Sequence, residues 1–384
     1  MSPWWLLAPA TGFGLGAAIG WAGLRRKGLH RWLLPYLRTW RQRRDPRPGE
    51  PVHVLLCICD HFEPKRGGAT PEVALSRVRR WVEEYPKLFG GFRDSDGRPP
   101  RHTFFYPVEE YEPQYLDMLA GLCRAGYGEV EVHLHHDNDT EENLRRTLLD
   151  FKQTLADRHG LLSRDRQTGE VVYGFIHGNW SLDNARSDGR YCGVNNELDI
   201  LRETGCYADF TLPSAPSETQ TRTINRIYWA VDDPKRPKSH DWGHDVGQAP
   251  RPANSLLMIQ GPLLLDWTVR KWGIFPRIEN ACLQRTQPPD KNRLKLWLRA
   301  GVKVATKPSW YFVKLHTHGA YETNQEVLFG PAMVRFHEDL QERAREDASF
   351  RFHYVTAREL ANLSIAAEQS PTGEPAGMMN FRWA

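Results

Sequence analysis

From Val52 onward, short apolar runs alternate with longer segments whose apolar residues recur at helical spacing. The run VHVLLCICD, Val52 to Asp60, is apolar at both odd and even positions, which predicts a strand buried on both faces. PEVALSRVRRWVEEYPKL, from Pro71, has helical periodicity and a proline at the first helical position, where a missing N–H costs nothing. RHTFFYPVEEY from Arg101 predicts a second strand, with a helix through Tyr115–Ala125. A third strand begins at Glu129. The helix after it starts at Thr140, a capping residue followed by two glutamates, and closes at Gly160. Further strands are expected at Val171–Trp180, Tyr207–Ala215, Arg226–Asp233, Lys271–Ala281, Trp310–Gly319 and Phe350–Thr356, with a helix at Phe329–Asp347. Asp232–Asn254, rich in Pro, Gly and His, is expected as a long surface loop, and residues 366–384 as a flexible tail. Strands alternating with helices predict α/β architecture with a parallel sheet over residues 51–365, and polar clusters repeatedly follow the strands, as they do at the mouth of a β/α barrel.

The N-terminus has a different pattern. Residues 1–24 carry no charged side chain, and a run of that length can span a bilayer as a helix. Trp4, Trp5 and Trp21 lie near its ends, and Gly12, Gly16 and Gly20 recur at a spacing that permits close helix packing in lipid. A cleaved signal would carry its positive charges before the apolar core; here RRKGLHRWLLPYLRTWRQRR follows it. The expectation is a single-pass anchor in the inner (cytoplasmic) membrane, with the remaining chain on the cytoplasmic side. Residues 25–50 then form a basic juxtamembrane linker on the anionic leaflet. Nucleic acid, the other partner of a basic run, is not expected beside such an anchor. Net charge is only +4, and the 40% hydrophobic and 26% charged content is that of a globular protein with a sizeable core. The six cysteines show no paired C-x-x-C framework, so buried free thiols are expected.

Four clusters carry candidate chemistry. EVEVHLHHDNDT, Glu129 to Thr140, is the densest. In a strand, alternate side chains share a face, so His133, His135 and Asp137 point one way and His136 the other. Neutral imidazole and carboxylate are ligands for zinc or a similar divalent metal. CDHFEP, Cys59 to Pro64, places Asp60 and His61 at a strand end, with Glu63 expected to shape the loop. In IHGNWSLDN, His177, Asn179 and Trp180 combine hydrogen-bonding groups with an aromatic plate suited to a sugar. In VKLHTHG, His316 and His318 share a face, and one of them can donate a proton to a leaving group.

Taken in order, these clusters resemble the polysaccharide deacetylase superfamily (the NodB-homology, carbohydrate esterase family 4 group), over roughly Val52 to Leu363. Asp60-His61 stands where the family has an Asp-Asp pair. Glu129-Val130-Glu131-Val132-His133 resembles the start of its metal motif, with Asp137 in place of the second histidine. His177-Gly178-Asn179-Trp180 resembles a third motif without its arginine, and Leu315-His316 a fourth. The resemblance implies a distorted (β/α) barrel and a metal-dependent hydrolase that removes N- or O-acyl groups from a glycan, and the expected membrane anchor suggests a lipid-linked saccharide as that glycan. It implies Asp60 as general base, His316 as general acid, and His61, His133 and Asp137 as metal ligands. His135 is a further ligand candidate, and His177, Asn179, Trp180 and His318 are the substrate-binding candidates. The missing aspartate and arginine motivate an alternative: a non-catalytic glycan-binding or assembly protein on a degenerate barrel.

Overall fold

The computed structural model describes residues 23–25, 28–39, 41, 45, 47–369 and 372–384. In chain order the elements are α1 (Leu29–Arg38), β1 (Val52–His61), α2 (Pro71–Phe89), β2 (His102–Pro107), α3 (Pro113–Arg124), β3 (Gly128–Leu134), α4 (Glu141–His159), β4 (Ser163–Arg164) and β5 (Val171–His177). They continue with α5 (Glu197–Thr204), β6 (Cys206–Asp209), β7 (Ile227–Val231), β8 (His244–Asp245), β9 (Ser255–Ile259), β10 (Leu264–Lys271), β11 (Phe275–Glu279) and α6 (Lys291–Ala300). The last are β12 (Trp310–Thr317), α7 (Glu322–Leu328), α8 (Pro331–Glu346), β13 (Phe350–Tyr354) and α9 (Ala357–Gln369).

The main sheet runs β12-β1-β2-β3-β5-β6-β9-β7-β8. It is parallel from β12 through β9. β13 lies parallel to the first half of β1. β7 is antiparallel to β9, and β8, inside the expected loop, is antiparallel to β7. This is a mixed α/β fold on a large parallel sheet, curled like a barrel. The pleat sorts side chains into two cores. Val54, Leu56 and Ile58 of β1 join Trp81, Leu116 and Leu144 of the surrounding helices, whereas Leu55, Cys57 and Cys59 join Phe312, Ile176 and Leu257 in the lumen. Cys57 and Cys59 are buried free thiols.

Where the curled sheet is unpaired, side chains and loops close it. Lys314 of β12 is fully buried and donates Nζ hydrogen bonds to the carbonyls of Phe210 and Leu212, just past β6. Ala281–Leu283 pairs with the other edge of β12 through His316. The N-terminal ends of the strands are plugged by α9, whose residues 357–367 are all buried. Its Arg358 pairs with Glu129 at the start of β3. The C-terminal residues pack beneath it instead of forming a flexible tail: Met379 and Trp383 are buried, and Arg164 and Ala384 exchange backbone hydrogen bonds of 2.8 and 3.0 Å.

The expected membrane attachment is corrected. Among the described residues no helix is long and apolar enough to cross a membrane, so a single-pass membrane protein is not supported. The expected anchor, residues 1–24, falls almost wholly outside the described residues. In the basic segment, α1 buries Trp32 and Tyr36 on Ala215, Ile224, Leu263 and Leu264, so part of the apolar surface expected on lipid is spent on protein, while Leu34 and Leu37 stay exposed. Trp32→Ala is expected to cost about 3 kcal/mol by denaturant titration, as for other buried Trp truncations. Leu34→Ala, at a residue 54% exposed, is expected to change stability by under about 0.5 kcal/mol.

Candidate metal centre

The C-terminal ends of β1, β3, β5 and β12 meet at one mouth, opposite α9. At β1 the pleat separates neighbours. Asp60 shares the parity of Ile58 and turns outward, where Oδ2 lies 2.8 Å from His102 Nε2 and Oδ1 accepts from Gly319 N at 2.5 Å. It is wholly buried, and Gly319 packs so tightly on the carboxylate that a Cβ has no room there. Asp60 therefore ties β1 to the turn after β12. It does not face the mouth, which corrects its assignment as general base.

His61 and Glu63 continue the opposite parity, that of Cys57 and Cys59, and reach the mouth. Glu63 Oε1 lies 3.4 Å from His133 Nε2 and 3.2 Å from His135 Nε2, and Oε2 lies 3.8 Å from His318 Nδ1. The His61 ring stands 4.9 Å from that of His133 and 4.7 Å from that of His318, centre to centre. Two overlapping groups, His61–Glu63–His318 and Glu63–His133–His135, bring donor atoms within 4.8 Å of one another. His133 Nδ1 donates to the Ile176 carbonyl at 2.7 Å, so in the neutral ring Nε2 is a bare lone pair. That lone pair faces a carboxylate oxygen, and both atoms, with His318 Nδ1, are buried and without a hydrogen-bond partner. Arg66 donates to Glu63 Oε2, but Oε1, His133 Nε2 and His318 Nδ1 converge without a partner, as electron-rich atoms around a divalent cation would.

The electrostatics agree. Burial would raise Glu63, but the adjoining His133, His135 and His318 imidazoles hold it well below the usual carboxylate range, so it is ionised. Burial, with the neighbouring His133 and His318, pushes His61 well below 6.5, and burial takes His318 down to about 4. Both are neutral imidazoles, the form that binds metal. His135 differs. Burial alone would lower it, but Glu109, bonded to its Nδ1, and Glu63 raise it to about 9. It is also the most open of the five, with 30% of its side chain exposed. Gly178 lets the backbone after β5 pass against the His135 ring, where a Cβ would collide.

Other expected residues take other places. Asp137 lies past the end of β3, exposed, and accepts from Tyr191 N at 2.7 Å. It holds a loop and is not a ligand in either group. His316 is buried on β12, and burial pushes it well below 6.5, which disfavours the imidazolium that a general acid needs. His177 turns outward to His136, away from a substrate at the mouth, and Asn179 is exposed. Trp180 does border the centre, its ring 6.0 Å from His61 and 6.2 Å from His318. Asn179 and Trp180 both have positive φ (54° and 55°), a strained conformation of the kind that clusters at binding sites. Glu63 and Glu109 were not among the expected site residues. The signal for Glu63 was present: it is in phase with His61 two residues earlier, and Asp60 is not.

No family model and no curated protein matches the chain. A solved structure of a 4-alpha-glucanotransferase from Thermococcus litoralis is similar at 13% identity and a TM-score of 0.43, over 81% of this chain and 40% of that one. The chain thus spans well under half the length of that structure.

Elemental analysis of protein loaded with zinc and dialysed should show less zinc in Glu63→Gln and His133→Ala than in the wild type. Asp60→Asn and Asp137→Asn should match the wild type.

Proposed function

We propose that the protein is a metal-dependent hydrolase that removes an N- or O-acyl group from a glycan, on a distorted barrel of the deacetylase type. The observation that carries this is the unpaired Glu63 Oε1 and His133 Nε2 facing each other at the barrel mouth. His61, Glu63, His133 and His318 hold the cation, which zinc suits best given imidazole and carboxylate donors. A bound divalent cation supplies an activated water and polarises the acyl carbonyl.

The chain's own residues do the rest. His135, more exposed than the other four and charged at neutral pH, gives a proton to the departing amine or alkoxide. Glu109 fixes the ring through Nδ1 and stabilises the imidazolium. The indole of Trp180 offers a plate beside the centre on which the apolar face of a sugar ring can lie. Asp60, through Gly319, holds the β12 turn that presents His318. A lipid-linked substrate depends on a membrane anchor, which no described helix provides.

Zinc-loaded protein should release acetate from N-acetylated or O-acetylated oligosaccharides, and chelation or Glu63→Gln should abolish release. Acetate release that survives both would overturn the proposal. The proton donor has its own signature. His135 must be charged, so kcat should fall as pH rises through its pKa, at or below about 9. In Glu109→Gln the imidazolium loses its partner, its pKa drops, and the alkaline limb of the pH–kcat profile should move to lower pH. An unmoved limb would rule out the pair.

A further inference from the structure

We propose a second, closed zinc site formed by His136, His177, Cys192 and Glu197, which holds the loop carrying Trp180 in shape. The four donors come from four places: just past the end of β3, the last residue of β5, the loop after it, and the first residue of α5. Their ligand atoms lie within 4.8 Å of one another. His136 Nε2 is 2.8 Å from His177 Nε2, Glu197 Oε1 is 3.3 Å from the first and 3.5 Å from the second, and Cys192 Sγ is 3.4 Å from Glu197 Oε2.

The far side of each ring fixes what the near side offers. His177 Nδ1 bonds the Gly178 carbonyl, which only accepts, so the hydrogen sits on Nδ1. His136 Nδ1 bonds the Asp139 carboxylate at 3.0 Å, with the same consequence. Burial would lower His136, but Asp139, Cys192 and Glu197 raise it, so without a cation its Nε2–H donates to the bare Nε2 of His177; a cation would take the place of that proton, with both rings then aiming lone pairs at it beside a carboxylate and a sulfur. A histidine that donates its other N–H to a carbonyl or carboxylate is the usual arrangement of a metal ligand. All four donor atoms lie close enough together for one cation to bind them at once. A divalent ion with one thiolate and one carboxylate also leaves the buried group neutral.

The donor set selects the metal and the role. Sulfur with two imidazoles and a carboxylate suits zinc, and four protein donors leave no position for substrate. His177, Cys192 and Glu197 are wholly buried, in contrast to the partly open centre at Glu63. The backbone N–H of Asn184 points to Cys192 Sγ at 3.3 Å, and that of Asp183 to Glu197 Oε2 at 2.6 Å, so the loop wraps the ligands. That loop also needs fastening: Asn179, Trp180, Asp183, Asn184 and Tyr191 all have positive φ without being glycine.

Cobalt substitution of the full chain tests this without an activity assay. The expected result is two ions per chain and a thiolate-to-cobalt charge-transfer band in the near ultraviolet. Cys192→Ser should remove the band and one ion while the Glu63 centre stays loaded. Glu63→Gln should remove the other ion and keep the band. If Cys192→Ser does not fold, the wild-type spectrum and the Glu63→Gln spectrum still decide. No charge-transfer band in the cobalt-loaded wild type, or a single ion that Glu63→Gln removes, overturns the second site and leaves the proposed hydrolase untouched.

Discussion

The pleat of a parallel strand is the constraint on which this structure depends. Successive side chains must leave opposite faces, and in a curled sheet one face is the lumen and the other meets the helices. At a strand's C-terminal end this decides chemistry. Asp60 and His61 are covalent neighbours, yet one is locked between β1 and the turn after β12 while the other joins the mouth. His135 and His136 divide in the same way, one to Glu63 and one to Glu197. Two polar clusters thus form back to back from one stretch of chain.

Each cluster is costly unless something neutralises it. Buried polar atoms in folded proteins are nearly always hydrogen-bonded, and an unpaired one costs about 1–3 kcal/mol. In the lumen below the mouth, Glu131 and Lys314 meet this rule within the chain. Glu131 accepts from Tyr207 and from Gly174 N, and Lys314 donates to two carbonyls. At the mouth the rule fails, at Glu63 Oε1, His133 Nε2 and His318 Nδ1 together. The lumen shows that this fold can pair buried charges. Other buried atoms also lack partners, His316 Nδ1 on β12 and His102 Nδ1 on β2 among them, but at the mouth three such atoms on two imidazoles and a carboxylate converge, which favours a ligand there.

Much of the architecture was legible. The strands β1, β2, β3, β5 and β12 and the helices α2, α4 and α8 follow from periodicity and caps. β9, α5, α6 and α9 were not anticipated. For α9 the reason is physical: ARELANLSIAAEQ is buried on every side, so it has no polar stripe to give it a helical period. At the site, His61 and His133 follow from alternation, His135 holds that parity one residue past the strand end, and Trp180 follows from its place after a strand. Asp60 and Asp137 were misjudged for opposite reasons. Asp60 was matched to a motif against its own parity. Asp137 was carried forward at strand parity past Leu134, where the strand has ended. The basic N-terminal segment misled because an amphipathic helix on a bilayer and one docked on protein share one pattern; only the partner surface of Ala215, Ile224 and Leu263 separates them.

The two ends of the barrel divide the labour. At the base, α9, Arg358 and the C-terminal residues close the lumen with apolar packing and a partly buried ion pair. At the mouth the backbone is irregular, with positive φ at five non-glycine residues between Asn179 and Tyr191. Such strain persists only where the surroundings over-determine it. Here the constraints are His135 against Gly178, Asp137 on Tyr191 N, and the ring of donors around Glu197. All three trace back to the residues just after Leu134. One strand end therefore supplies ligands to the centre at Glu63 and also fixes the loop that lays Trp180 beside it, so the geometry of the plate and that of the ligands are not independent.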